Sequence, residues 1–390
     1  MKIKKIEAFL IRDLGFSVSE ESPQARRRSW YVDAEVASPM DRYTRFKGRR
    51  SSWAARLPAV GVLATAEDET WGFATTACGQ PVVSLINDHF APLLVGEDPM
   101  ATERIWDMMM RFASLYSPSG LASYGISAVD LALWDLKGRL LRRPVYELAG
   151  GPARESQKCY ATGNDTDWHM ELGFSATKLA CPYGSAGGLQ AINKDEELVA
   201  RTRELIGDQV DLMLDCWMAL DVDFAVRLAE RLRPYNLRWI EDGLRPEDGP
   251  SHRALRERLP WQALATGEHW YTPSPFYDAA KGNLVDILQP DVHWVGGLTA
   301  ARRISAIADA AGIEVILHAG MNTPYGQHAA LATTSSEWGE YFVGGAPGVA
   351  LSKTHGFPGM AVPANGVLVV SDEPGFGHGL TLESIAKLTL

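Results

Sequence analysis

Three apolar runs in the middle of the chain each stop at an acid: DLMLD at Asp215, LRWIE at Glu241 and ALATGE at Glu268. The acids follow one another at 26 and 27 residues. About 25 residues is the length of one strand, one crossover helix and two short loops, so the spacing predicts parallel strands whose ends recur at one height. The three carboxylates then converge. In a (β/α)8 barrel the C-terminal strand ends form the face where catalytic groups collect, and three carboxylates there suit a hard divalent cation such as Mg2+.

The repeat continues on both sides. Apolar runs at 158–162, 176–180, 210–215, 237–241, 263–268, 285–291, 313–318 and 340–344 alternate with helical patterns such as 195–207, 222–235 and 299–312. Candidate functional residues end strand after strand instead of gathering at one crevice, which favours a barrel over an open sheet. Asp291, in ILQPDV, and His318, in VILHAG, extend the series at 23 and 27 residues. An imidazole beside a carboxylate on the neighbouring strand forms a dyad: the acid fixes which nitrogen is protonated and raises the basicity of the other, as a general base near neutral pH requires. An acid at a strand end is often only a helix N-cap, and a lone histidine is more often structural than catalytic. Five suitable residues in register make a stronger signal than any one of them.

Ahead of the barrel, 3–11, 59–66 and 71–77 read as a small antiparallel sheet, followed by helical patterns at 82–95, 99–116 and 121–142. Pro144 and the Gly150-Gly151 pair punctuate the chain after them. The expected organisation is an α+β domain over 1–150, a barrel over 151–361 and a Gly/Pro-rich segment, 362–390, that returns to the first domain. Residues 15–56 form a long stretch with little periodicity. From Arg26 to Arg56 it holds nine basic and three acidic residues, in a chain of net charge −10. A basic flap on an acidic protein suits closure over a small anionic substrate; the plain alternative is a solvated or subunit-contact loop.

The negative charge disfavours nucleic acid and anionic membrane partners. No apolar run of about 18 residues is present, and MKIKKIEAFLIRD lacks the apolar core of a signal peptide, so a cytoplasmic location is expected. Cys78, Cys159, Cys181 and Cys216 lack CxxC spacing, and no HExxH pattern is present, which argues against a disulfide framework and a zinc hydrolase.

The segments AVDLALWDLKGR, PVYELAGG, YATG, LMLDCWMALDV, PYNLRWIED, TGEHW, ILQPDVHWVGGLT and DEPGFG resemble the enolase superfamily in its mandelate racemase-like branch, and within it the rhamnonate-like acid-sugar dehydratases. The resemblance covers nearly the whole chain. It implies an α+β capping domain joined to a (β/α)7-8 TIM-type barrel, with residues 15–56 as the specificity lid. It further implies Mg2+ held by Asp215, Glu241 and Glu268, an acid/base dyad of His318 and Asp291, and a small anionic sugar acid as substrate. Glu340, at the start of the eighth strand, matches a glutamate near the substrate carboxylate; if protonated, it could donate to that carboxylate. Arg50 matches a substrate-binding arginine of the flap, and His269, which follows Glu268, is a further candidate for substrate contact. A symmetric homo-oligomer is implied, with an octamer as one candidate.

Two departures narrow the expected chemistry. Relatives that carry Lys-x-Lys on the second barrel strand have a base on each face of the substrate; this chain reads Lys178-Leu179-Ala180. The second base is absent, which favours one-sided dehydration over racemisation or epimerisation, while Lys178 can still meet the substrate electrostatically. In the lid, Ser29 stands near the position of a substrate-contacting histidine, which leaves the identity among L-rhamnonate, L-lyxonate, L-mannonate and similar acids open. A catalytically silent sugar-acid-binding protein on the same fold is the alternative of a different class.

Overall fold

The computed structural model describes residues 1–12, 14, 22–46, 57–354 and 357–390. Strands β1 (Ile3–Ile11), β2 (Ala59–Ala66) and β3 (Trp71–Thr76) form an antiparallel sheet in the order β1-β2-β3. Val60, Val62, Ala64 and Ala66 alternate along β2 and are fully buried, which gives the sheet its inner face. Against it packs the helix Leu121–Leu141. Residues all round this helix are buried, because the helix Gly297–Ala311 covers it from the other side.

Eight parallel strands follow: β4 (Gln157–Thr162), β5 (Ala176–Ala180), β6 (Asp211–Asp215), β7 (Ile240–Glu241), β8 (Leu264–Thr266), β9 (Ile287–Leu288), β10 (Glu314–Val315) and β11 (Trp338–Phe342). They pair in the order β10-β9-β8-β7-β6-β5-β4-β11, and β12 (Val367–Leu368) adds antiparallel to the start of β4. The curled sheet and the helices between its strands make the expected TIM-type barrel. A crossover such as Val222–Leu232 shows why: Asp221 caps it by accepting from Phe224 N, and Phe224, Ala225, Leu228, Ala229 and Leu232 bury one stripe.

Inside the barrel, side chains stack in layers. Tyr160, Ala176, Met213, Trp239, Ala265, Ile287, Ile316 and Trp338 form one apolar cluster, one residue per strand or from the residue beside it. Two residues further along, the same inward parity places Thr162, Lys178, Asp215, Glu241, Gln289, His318 and Glu340. The apolar layer is the floor on which this polar layer rests.

Some boundaries differ from expectation. The eighth strand starts at Trp338, so Glu340 is its middle residue and not its first; Trp338 belongs to the floor, which the apolar run EYFVG does not reveal. The helix expected over 82–95 consists of Gly79–Ser84, a π-helical turn at Leu85–Phe90 and Ala91–Leu94. At the C-terminus, Leu390 N donates to Leu10 O at 3.0 Å, and Thr389 bridges to Ile11. Asp135 of the long helix accepts from Phe73 N, Phe376 N and Arg139 Nε at 2.8–3.0 Å, tying β3 and the last segment to one carboxylate. Among the described residues no helix is long and apolar enough to cross a membrane.

Candidate active site

Asp215 and Glu241 are direct partners in the β6–β7 pair. Both oxygens of the Glu241 carboxylate have partners: Oε2 accepts from Trp239 Nε1 at 2.8 Å and Gln289 Nε2 at 2.7 Å, while Oε1 pairs with Lys178 Nζ. Lys178 also meets Glu340 Oε1 at 2.8 Å. Burial disfavours the charge on Lys178, yet Glu241 and Glu340 hold its pKa well above the ordinary lysine value. Burial, together with the charges of Asp215, Glu340 and Glu268, pushes Glu241 up to about 8 against the pull of Lys178.

Glu340 takes the opposite course. Thr162 Oγ1 donates to its Oε1 at 2.6 Å and Ala319 N to its Oε2 at 2.8 Å. Burial works against ionisation, but Lys178 and His318 lower Glu340 to about 2. Donors on both oxygens and the Lys178 ammonium favour the ionised carboxylate, which counts against the expected proton donation from Glu340 to a substrate carboxylate.

Glu268 enters the site through a bend. Strand β8 stops at Thr266, and Gly267 has φ +132°, where a Cβ would lie 2.8 Å from Phe276 Cε1; glycine permits the turn that brings residue 268 inward. Glu268 Oε1 accepts from Trp217 Nε1 at 3.1 Å and lies 3.2 Å from His269 Nδ1, while Oε2 lies 3.4 Å from His318 Nε2. His318 Nδ1 is 2.8 Å from Asp291 Oδ2. Burial opposes a charged His318, but Glu268, the Asp291 hydrogen bond and Glu340 raise it to about 10. Asp291 is held well below the usual carboxylate range, because the hydrogen bonds of His293 and His318 outweigh its burial. His293 N donates to Asp291 Oδ1 at 2.7 Å.

A second imidazole–carboxylate pair lies beside the first. His269 Nδ1 is 3.1 Å from Asp242 Oδ2, and Thr266 Oγ1 donates to Asp242 Oδ1 at 2.7 Å. The Trp294 ring packs against both imidazoles, with centroids 5.0 Å from His318 and 5.6 Å from His269. Strand-end spacing does not single out Asp242, Gln289 or Trp239. Their only signals are the acid pair in LRWIED, the polar residue in ILQPD and a tryptophan with inward parity.

Asp215, Glu241 and Glu268 offer only buried oxygen donors from successive strand ends, and burial raises both Glu241 and Glu268. A divalent cation would offset that repulsion, so the donor set fits Mg2+. Among the described residues, the trio whose ligand atoms all lie within 4.8 Å of one another is Asp242, Glu268 and His269. Glu241 instead turns to Lys178, whose ammonium meets both Glu241 and Glu340.

Across the mouth, Ala180 is packed beneath Trp30 and Val36 of the flap. Ser29 is buried; its hydroxyl donates to Gly344 O at 2.8 Å and accepts from Tyr31 N at 3.2 Å, capping the short helix Trp30–Asp33. That is a structural engagement of both its donor and an acceptor lone pair. Arg50 lies outside the described residues.

Residues 166–384 match the family model described as enolase C-terminal domain-like, and residues 60–150 match that of the mandelate racemase / muconate lactonizing enzyme N-terminal domain. The chain is 35% identical over 392 residues to the L-rhamnonate dehydratase of Saccharopolyspora erythraea, covering 98% of this chain and 97% of the relative. The crystal structure of rhamnonate dehydratase from Gibberella zeae complexed with Mg is similar at a TM-score of 0.90 and 31% identity, covering 100% of this chain and 96% of that one. The 3,6-anhydro-D-galactonate cycloisomerase from Zobellia galactanivorans gives a TM-score of 0.78 at 25% identity, covering 100% of each chain.

Proposed function

The chain belongs to the enolase superfamily, and from that membership we propose that it is a Mg2+-dependent acid-sugar dehydratase acting on L-rhamnonate. The observation that carries this reading is the His318–Asp291 pair at 2.8 Å, set against Glu268, with Ala180 and not a base on the other side of the mouth. We take Asp215, Glu241 and Glu268 as the Mg2+ ligands, Lys178 as an electrostatic contact for the substrate, and Arg50 and His269 as further substrate contacts. We further take 1–150 with 362–390 as the cap, 151–361 as the catalytic barrel, and the working protein as a cytoplasmic homo-oligomer.

Held by Asp215, Glu241 and Glu268, Mg2+ would supply positive charge against the negative charge that builds on the substrate carboxylate, and would offset the Glu268 charge that raises His318. The proton transfers fall to the chain's own residues. Nδ1 of His318 is committed to Asp291, so Nε2 removes the C2 proton. The resulting imidazolium hands that proton to the C3 hydroxyl on the same face, which leaves as water. The enol ketonises to a 2-keto-3-deoxy sugar acid. Trp294, packed at a tilt against His318, and Trp217, bound to Glu268, place apolar ring surface beside the reacting atoms. Incubating the purified protein with a panel of sugar acids and Mg2+ tests the proposal: L-rhamnonate gives 2-keto-3-deoxy product, and chelation of the metal abolishes it. Absence of product from L-rhamnonate would overturn it.

A further inference from the structure

The loop after β9 carries Asp291 and Trp294, and it is held from outside the barrel by one face of the long capping helix. Ser123, Ser127, Asp130 and Trp134 lie 4, 3 and 4 residues apart on that helix and are all buried, the spacing of a single helical stripe. Each reaches the loop or the first turn of the helix Gly297–Ala311 that follows it. Ser123 Oγ donates to Trp294 O. Ser127 Oγ accepts from Gly296 N at 2.8 Å and Gly297 N at 3.1 Å, and donates to Ser123 O at 2.7 Å. Asp130 accepts from Thr299 N at 3.0 Å and Thr299 Oγ1 at 2.6 Å, and Trp134 Nε1 donates to the same hydroxyl at 3.0 Å. From β3, Thr76 Oγ1 donates to His293 O at 2.9 Å.

The two glycines of VGGLT make this clamp possible. Gly296 and Gly297 have φ of +112° and +81°, and a Cβ on Gly297 would lie 2.3 Å from Asp130 Oδ2. Only glycine lets both N–H groups approach the helix in that backbone conformation. Polar groups in a buried helix face are costly unless paired; here nearly every bond is spent on the five residues 293, 294, 296, 297 and 299. Those residues directly follow Asp291, which pairs with His318, and include Trp294, whose tilted ring packs against it.

We propose that Ser127 and Thr76, with Ser123 and Asp130, are positioning residues that fix the Asp291–Trp294 turn and thereby aim His318 at the substrate. This rests on the dehydratase reading above for the role of His318. The capping domain then contributes to the chemistry as well as to the lid.

The test uses Ser127→Ala, Thr76→Val and Thr76→Ser in the full chain, assayed with L-rhamnonate and Mg2+. Ser127→Ala and Thr76→Val lower kcat about tenfold with KM changed less than about threefold, the pattern of a lost orienting partner. Thr76→Ser, which keeps the hydroxyl, restores most of the activity. Thr76→Val removes one donor at nearly constant shape, so it carries the test where Ser127→Ala does not fold. Wild-type kcat in both variants, a rise in KM with kcat unchanged, or a Thr76→Ser enzyme no better than Thr76→Val overturns the positioning role. If the wild-type protein does not dehydrate L-rhamnonate, the functional reading fails by itself. A crystal structure of Thr76→Val then still decides the clamp: it holds if the His318–Asp291 contact lengthens and falls if it stays at 2.8 Å.

Discussion

The ends of β5 and β10 face the same mouth with opposite chemistry. Past the end of β10, the half-buried His318 lies beside Asp291, Glu268 and Trp294. On β5, Ala180 offers a methyl group beneath Trp30 and Val36, and Trp30 and Tyr31 each lie 5.6 Å from Phe342. On β5 itself, Lys178 sits two residues lower and is paired with Glu241 and Glu340. Among the described residues, titratable groups therefore gather on one face and apolar packing on the other. Removing and returning a proton from a single side permits elimination of a group on that side, whereas inversion at the α-carbon needs a base on each.

Replacing the single base gives the largest effect. His318→Asn is expected to lower turnover of L-rhamnonate by about 100- to 10,000-fold, the usual weight of a positioned general acid/base. Exchange of the C2 hydrogen in D2O should disappear with it, because among the described residues the end of β5 offers no group to take over. Exchange that survives in this variant would break the contrast between the faces. The next effect comes from placing a charge on the apolar side. In Ala180→Lys the ammonium is forced among Trp30, Val36 and the neighbouring Lys178, and a cost of about 3 kcal/mol or more in unfolding free energy is expected. Denaturant titration measures it. Unchanged stability together with newly gained epimerisation would show that the wall yields to a second base.

Asp291→Asn sharpens the comparison from the other direction. The base remains but loses the partner that fixes its tautomer, so kcat should fall about 10- to 100-fold with the metal requirement intact. A loss as deep as that of His318→Asn would mean that Asp291 does more than orient the ring.

The legible part of this site follows the period of the strands. Asp215 and Glu241 are readable because they are true register partners in β6–β7, and His318 and Asp291 because each follows its strand by the same three residues. Glu268 is legible by spacing alone; the turn at Gly267 that brings it inward has no counterpart in an apolar run. Lys178 is recognisable as a site residue, but its pairing with both Glu241 and Glu340 depends on strands 63 and 162 residues away. The stripe Ser123-Ser127-Asp130 is hidden in a helix whose pattern stands out only at its apolar positions. A polar residue at a core position is the signal that such a pattern obscures, since its partners lie in a loop about 170 residues later.

The smallest predicted effect concerns how the apolar wall is fastened. Arg27 Nη1 and Nη2 bind Asp167 at 2.8 and 2.6 Å, and Nη2 also binds Asp165 at 2.9 Å. Asp165 in turn accepts from Trp30 N at 2.9 Å, so the ion pair holds the residue that covers Ala180. Arg27 is 44% exposed, which limits such a pair to about 0.2–1 kcal/mol. Arg27→Ala should therefore raise KM for the sugar acid by no more than about fivefold and leave kcat nearly unchanged, because the β10 face is untouched. Salt supplies the control. At about 1 M ionic strength the screening length falls to roughly 3 Å, and wild-type KM should approach that of the variant. A fall in kcat matching that of Asp291→Asn would show that the two faces are coupled, and that the flap does more than cover one of them.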